Sequence, residues 1–231
     1  MTHDNDALTL GEIDRDGALA ESAARVGITR GDALRRAVMG GGALVAGSAM
    51  LGALPGSALG AVTRASAGDV DILNFALTLE YLEAAFYAEA VSKGKLSGEA
   101  KTFAAVVAKD EAAHVGFLKG ALGSKAVAKP MFDFKGTTSD QAKFQATADV
   151  LENTGVHAYL GQVGNIKAKP VLVAAGRVLP VEARHAAWIR DIRFKGGTTV
   201  ATTPAPAGFE DGFTKAKILA AVKATGFIVS P

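Results

Sequence analysis

The chain has 231 residues, a formal net charge of +2, 49% apolar and 6% aromatic residues, and no cysteine. Near-balanced charge without a basic patch argues against a nucleic-acid partner, and the lack of thiols excludes disulfides, iron–sulfur clusters, a rubredoxin-type iron centre and Cys-ligated zinc. Length and apolar content suffice for one domain with a core, and richness in Ala, Val and Leu suits closely packed helices.

Residues 1–34 are polar and Asp-rich with no apolar face, which predicts a disordered leader. Leu34-Arg35-Arg36 then precedes an uncharged run over 37–54 that is full of Gly and Ala. The run is long enough for a membrane span, but its mild hydropathy and its flanks fit an export signal better. The arginine pair resembles a twin-arginine signal, although Leu34 and Ala37-Val38 depart from the usual neighbours. Small-x-small cleavage sites stand at Gly56-Ser57-Ala58 and Ala65-Ser66-Ala67, and cleavage after Ala67 leaves Gly68-Asp69 to begin a helix. An uncleaved anchor or a buried helix is the alternative. The division that follows is a leader and signal over 1–67 and a folded domain over 68–231.

Asp69 predicts the N-cap of a first helix over 69–92. Its apolar stripe includes Leu73, Ala76, Leu79, Leu82, Phe86 and Tyr87, and Glu80 lies within it. Lys93-Gly94-Lys95 breaks the chain before a second helix over 97–122, which carries Glu111 and His114 on the side of Val107, Val115 and Leu118. Short linkage makes these two helices antiparallel neighbours. Residues 123–140 show no helical pattern and contain Pro130 and Met131-Phe132-Asp133-Phe134. Such a connection is long for a compact helical protein, and it can carry the chain back along the bundle as a crossover. Ser139 or Asp140 caps a third helix that reaches 166, with Phe144, Ala148, Leu151, Glu152, Val156 and Tyr159 inward. A fourth helix spans 170–193, and Pro180 within it predicts a kink or local opening just before Glu182. A flexible loop from Gly196-Gly197 to Pro206 and a short helix over 212–224, covering one end of the bundle, complete an all-α reading.

Glu111-Ala112-Ala113-His114 and Glu182-Ala183-Arg184-His185 repeat one spacing, and positions i and i+3 share a helix face. Each copy has a lone carboxylate upstream: Glu80 lies 31 residues before Glu111, and Glu152 lies 30 before Glu182. The same frame pairs Tyr87 with Tyr159 and Phe117 with Trp188. One Glu-x-x-His is most simply a surface charge or an ion pair. Two in a duplicated frame form the ligand set of a carboxylate-bridged dinuclear metal site inside a four-helix bundle. Four core carboxylates are costly if unpaired, whereas two divalent cations balance their charge and the histidines add neutral nitrogen ligands. Mixed oxygen and nitrogen ligation suits iron or manganese, and zinc also binds such sets.

Neighbouring residues read more plainly. Glu83, three residues after Glu80, could replace it or add to it as a ligand, but its repeat counterpart is Gly155, so it reads as solvated or as support for a ligand, and His157 reads as a packing or polar-face residue. Tyr87 and Tyr159 read as core packing, with a redox or gating role as the lesser alternative. Asp149, one turn before Glu152, is a candidate hydrogen-bond partner for a ligand histidine.

With these motifs the chain resembles the ferritin-like superfamily, and within it exported bacterial ferritin-like domain proteins related to the desiccation-related group. The resemblance runs over 69–228. It rests on Asn74-Phe75-Ala76-Leu77, Leu79-Glu80-Tyr81-Leu82-Glu83, Phe86-Tyr87, Asp110-Glu111-Ala112-Ala113-His114, Glu152-Asn153-Thr154-Gly155 and Val181-Glu182-Ala183-Arg184-His185-Ala186-Ala187-Trp188. It implies a ferritin-like four-helix bundle with a long crossover between helices 2 and 3 and a short C-terminal helix. The metal residues it implies are Glu80, Glu111, His114, Glu152, Glu182 and His185, with no catalytic residue beyond them. Glu111 and Glu182 are the candidate bridges, and Glu80 and Glu152 are terminal. Pro180 departs from the family pattern and bears on the placement of Glu182.

The implied cofactor is two iron ions, with manganese or a mixed pair as the alternative, and the implied co-reactant is dioxygen or peroxide. The expected activity is oxidation of ferrous iron or consumption of peroxide in stress protection. Passage through the twin-arginine export machinery would place a folded, loaded protein in the periplasm, the cell envelope or outside the cell. The alternative is a non-catalytic envelope or desiccation-stress protein whose metal is structural. A homo-oligomer is compatible with either reading, and an iron-storage cage has the least support.

Overall fold

The computed structural model describes residues 66–230. The expected leader, the Arg35-Arg36 pair, the 37–54 run and the cleavage site at Ala58 lie outside the described residues. Helix α1 (Ala67–Lys93) is capped by Ser66, whose Oγ accepts from the Asp69 N–H at 3.1 Å. Asp69, expected in that role, is instead buried and accepts from the Lys167 N–H (2.8 Å) and the Ala168 N–H (3.1 Å). Ala168 opens the fourth helix without a capping side chain of its own, so a carboxylate from the far end of the sequence satisfies those donors. Glycine at 94, with φ +60°, closes α1 in the left-handed conformation that other residues adopt at a cost.

Helix α2 (Gly98–Leu122) packs along α1, and α3 (Gln141–Gln162) packs along α4 (Lys169–Arg193). Asp140 caps α3 by accepting from the Lys143 N–H at 2.8 Å. That helix ends at Gln162, short of the expected 166, because the Gln162 carbonyl accepts from Asn165 and Ile166 in a turn around Gly164. Pro170 occupies the first turn of α4, where a missing N–H removes no helical bond. Of the kink or local opening expected at Pro180, the opening does not occur: α4 stays helical across it and keeps Glu182 in helical register with His185.

A short strand in the crossover and another at the C-terminal end follow no pattern that the sequence announced. Strand β1 (Met131–Phe132) pairs antiparallel with β2 (Ile228–Ser230), Met131 opposite Ser230 and Phe132 opposite Ile228. The Asp133 N–H donates to the Phe227 carbonyl at 2.8 Å. Phe134 then packs edge-on against Phe86 and Phe227, with centroids 5.4 and 5.5 Å apart. Helix α5 (Lys215–Thr225) begins later than expected because Gly212 and Phe213 lie directly on α3. There the Phe213 N–H donates to the His157 carbonyl at 2.9 Å, and the His157 ring stacks on Phe213 at 4.2 Å. His157 is thus a packing histidine.

Two apolar masses fill the bundle. Leu73, Leu77, Leu118, Leu122, Val171 and Val178 meet at one end, while Phe86, Phe103, Phe144, Ile189, Ile218 and Phe227 meet at the other. Burying each such side chain stabilises the fold by about 1.5–3 kcal/mol, which offsets the cost of the ionisable groups held between the two. Among the described residues, no helix is long and apolar enough to cross a membrane.

Candidate metal centre

Each of the four long helices sends one carboxylate to the level between the apolar masses: Glu80 from α1, Glu111 from α2, Glu152 from α3 and Glu182 from α4. All four are fully buried. Their helical registers add His114 from α2 and His185 from α4, so the structure brings together all six residues singled out in the sequence. They sort into two overlapping groups whose ligand atoms lie within 4.8 Å of one another: Glu80, Glu111, His114 and Glu182, and Glu111, Glu152, Glu182 and His185. Glu111 and Glu182 belong to both. His114 Nδ1 stands 3.2 Å from Glu80, 3.3 Å from Glu111 and 3.1 Å from Glu182. His185 Nδ1 stands 3.2 Å from Glu111 and 3.3 Å from Glu152.

Tyrosine hydroxyls close the arrangement across the bundle. Tyr87 on α1 donates to Glu152 on α3, and Tyr159 on α3 donates to Glu80 on α1. The exchange follows the sequence repeat, so an approximate twofold relates the α1–α2 pair to the α3–α4 pair. Core packing alone does not describe these tyrosines, since each fixes one oxygen of a buried carboxylate. Tyr159 also lines a small apolar cavity with Leu79, Leu118, Ala158 and Val178.

The electrostatics follow from burial and crowding. Burial, then the charge of Glu80, pushes the Glu111 carboxyl up to about 8. Burial together with Glu111 and Glu80 holds Glu182 well above the ordinary carboxylate range. Glu80 goes the other way: burial opposes its charge, but His114 beside it and the Tyr159 hydroxyl favour the anion. Burial disfavours a charged His185, yet the Glu111 and Glu152 carboxylates raise it to about 11. His114 is likewise raised against its burial by Glu111, Glu182 and Glu80. Protons thus stand in for positive charge among four carboxylates.

A cation fits this donor set better. Five buried ligand atoms make no hydrogen bond: Glu111 Oε1, Glu152 Oε2, both Glu182 carboxylate oxygens and His185 Nδ1. Buried polar atoms are rarely left so, and these five converge on one region. Carboxylate and imidazole donors in this ratio suit iron, manganese or zinc.

Three neighbours differ from their sequence readings. Glu83 is neither solvated nor hydrogen-bonded to a histidine; it is 3% exposed and inward. Burial, then Glu182 and the other carboxylates, holds it well above the usual range. Asp149 does not reach a site histidine: it pairs with Arg193 at 2.6 Å and Arg190 at 3.7 Å on α4. The histidine partner that sequence reasoning missed is Asp110, whose Oδ2 lies 3.1 Å from His185 Nε2. Its signal was available, because Asp110 adjoins Glu111 while the matching position in the second copy is Val181. An acceptor-only carboxylate there keeps the proton on Nε2, so that a cation displacing the Nδ1 proton would meet a lone pair facing the cluster.

Glu80, Glu111, Glu152 and Glu182 with two histidines, in a bundle with a long crossover, define a class of helical protein with a buried cluster that could hold a metal ion. The ferritin-like domain family matches residues 68–195, and the chain belongs to that family. No curated protein sequence matches the chain.

Proposed function

We propose that this protein holds a dinuclear iron centre, or an iron–manganese one, and oxidises ferrous iron or reduces dioxygen or peroxide with it. The observation that carries the reading is the sharing of Glu111 and Glu182 between two overlapping donor groups, each with one terminal carboxylate and one histidine. Shared carboxylates are what a pair of ions needs, whereas a single structural ion would leave the other group unsatisfied. When bound, the metal pair supplies the redox electrons and Lewis acidity that protein side chains lack.

The chain's own residues do the rest. Asp110 orients His185 through Nε2. Tyr87 and Tyr159 each donate a hydrogen bond to one oxygen of a terminal carboxylate and leave its second oxygen for the metal. Leu79, Leu118, Phe86 and Phe144 keep bulk water from the ends of the cluster, and the cavity beside Tyr159 gives a small apolar oxidant room next to it.

Export is part of the same reading. It is supported by the Arg35-Arg36 pair and the apolar run over 37–54, because the twin-arginine route carries folded proteins and would let the metal load first. Replacing both arginines by lysine should retain the chain in the cytoplasm, read by fractionation; an unchanged location would remove this route from the account.

The activity test adds ferrous iron to the metal-free protein and follows oxygen or peroxide consumption together with iron oxidation. Turnover above that of a Glu111→Ala/Glu182→Ala variant is expected. Metal uptake without turnover would favour the non-catalytic alternative, in which the ions only stabilise the fold.

A further inference from the structure

The twofold pattern of the site breaks at one buried position. Glu83 lies one turn beyond Glu80 on α1, and the offset that pairs Glu80 with Glu152 pairs Glu83 with Gly155 on α3. Glu80 and Glu152 each receive a tyrosine hydroxyl. Glu83, buried at 3% exposure against 0% for those two, receives no hydrogen bond and no ion pair. A buried carboxylate that ionises without a partner is unfavourable, so the anion calls for a cation beside it.

Gly155 shows where that ligand would lie. A Cβ built at this position would stand 3.6 Å from Glu83 Oε1 and 3.1 Å from Glu182 Oε2, so both carboxylates line the gap that the missing side chain leaves. Glycine in the middle of a helix lowers its stability, and here the space it keeps open is filled from across the bundle by an acid. Glu182, the other neighbour in that gap, is one of the two shared carboxylates, and its oxygens make no hydrogen bond.

We propose that Glu83 is a further metal-ligating side chain, a fifth carboxylate that enters beside Glu182 through the space left by Gly155, and that it fits the centre to a metal pair carrying more than four positive charges. The inference rests on the metal-centre reading above. Glu80, Glu111, Glu152 and Glu182 balance two divalent ions, and a fifth anion leaves one negative charge in excess. That excess vanishes when one ion is trivalent. Ligand charge count is a principal means by which oxygen-rich sites set affinity.

The test compares manganese(II) with the redox-inert gallium(III) on the full-length, metal-free protein. Free manganese is read from its electron paramagnetic resonance signal, and gallium by competition with nitrilotriacetate. Glu83→Gln keeps the shape and removes the charge. Its affinity for manganese(II) is expected to stay within about threefold of the parent, while gallium(III) affinity falls by about tenfold or more. Glu83→Asp keeps the charge but withdraws it by one methylene, and the same gallium(III) loss is expected. Parental gallium(III) affinity in Glu83→Gln overturns the proposal. Parental affinity in Glu83→Asp alone also overturns ligation, because a nearby charge would then suffice. Equal losses for both ions overturn the fit to higher charge. A parent protein that takes up neither ion overturns the metal-centre reading itself, an outcome distinct from each of these.

Discussion

Chelation of any bound metal leaves Glu83, Glu111 and Glu182 buried against one another, and the stability of that metal-free protein should fall as the pH is raised from 5 to 7. In the unfolded chain each carboxyl loses its proton near 4.5, whereas the fold keeps the proton on Glu111 up to about 8. Glu83 and Glu182 are shifted the same way. The native state therefore binds more protons than the unfolded state throughout this window, and each proton so retained lowers unfolding free energy by about 1.4 kcal/mol per pH unit. One such carboxyl costs about 2–3 kcal/mol between pH 5 and 7, or roughly 5–10 °C in Tm for a domain of this size. His185, charged in the fold up to about 11 against 6.5 when free, adds a loss of the same sign above pH 6.5. Glu80 acts oppositely, but only as pH falls below its ordinary value, outside this window. Scanning calorimetry of the chelated protein at pH 5, 6 and 7 measures the slope, and Glu111→Gln should make it shallower, leaving the part due to the other groups. Metal ions displace those protons and bind more tightly as the pH rises. Manganese(II) at a hundredfold excess over its Kd adds about 2.7 kcal/mol and should shrink or invert the slope. A chelated parent whose Tm is flat or rises from pH 5 to 7 would refute the reasoning.

Gly161→Ala should destabilise the protein by about 1–3 kcal/mol, because the new methyl would lie 2.0 Å from the Phe213 carbonyl oxygen. Gly176→Ala on α4, where the methyl meets nothing within 4 Å, should stabilise by about 0.5–1 kcal/mol; urea denaturation giving both changes the same sign would contradict the close approach of 213 to α3. Asp110→Ala should weaken manganese(II) binding about 10–100-fold while leaving helicity intact, and unchanged affinity would mean His185 needs no orienting partner. Tyr159→Phe should cost the metal-free protein about 1–3 kcal/mol by stripping the hydroxyl from buried Glu80, a loss that chemical denaturation would detect and whose absence would show that the hydroxyl contributes nothing.

The six candidate ligand residues were legible because helix geometry converts spacing directly into facing. Glu111 and His114 three residues apart, repeated as Glu182 and His185, need no tertiary information to share a helix side, and the duplicated frame supplied Glu80 and Glu152. What lay beyond the sequence depended on contacts between distant segments. Asp69 looks like a local cap, yet its carboxylate serves donors at 167 and 168 while Ser66 caps α1. That detail bears on export: cleavage after Ala67 would remove the Ser66 cap, typically worth about 1 kcal/mol, whereas cleavage after Ala58 would keep it. Strands β1 and β2 are too short to show alternation, and only their pairing defines them. Of two carboxylates, Asp110 and Asp149, the sequence pointed only to the second as support for a histidine. The packing of α2 against α4 decides for the first, and Arg190 and Arg193 engage the second. Glu83 was hardest, because its burial depends on the absent side chain at Gly155 on another helix.

The most direct measurement is the metal content of the full-length protein, purified from cells supplied with iron and manganese, beside a Glu111→Ala/Glu182→Ala variant checked for helicity. The account predicts about two ions per chain in the parent, the content of a carboxylate-bridged pair, and a clear loss in the variant. A folded, helical parent that carries no metal, or a variant that retains its full complement, would contradict it.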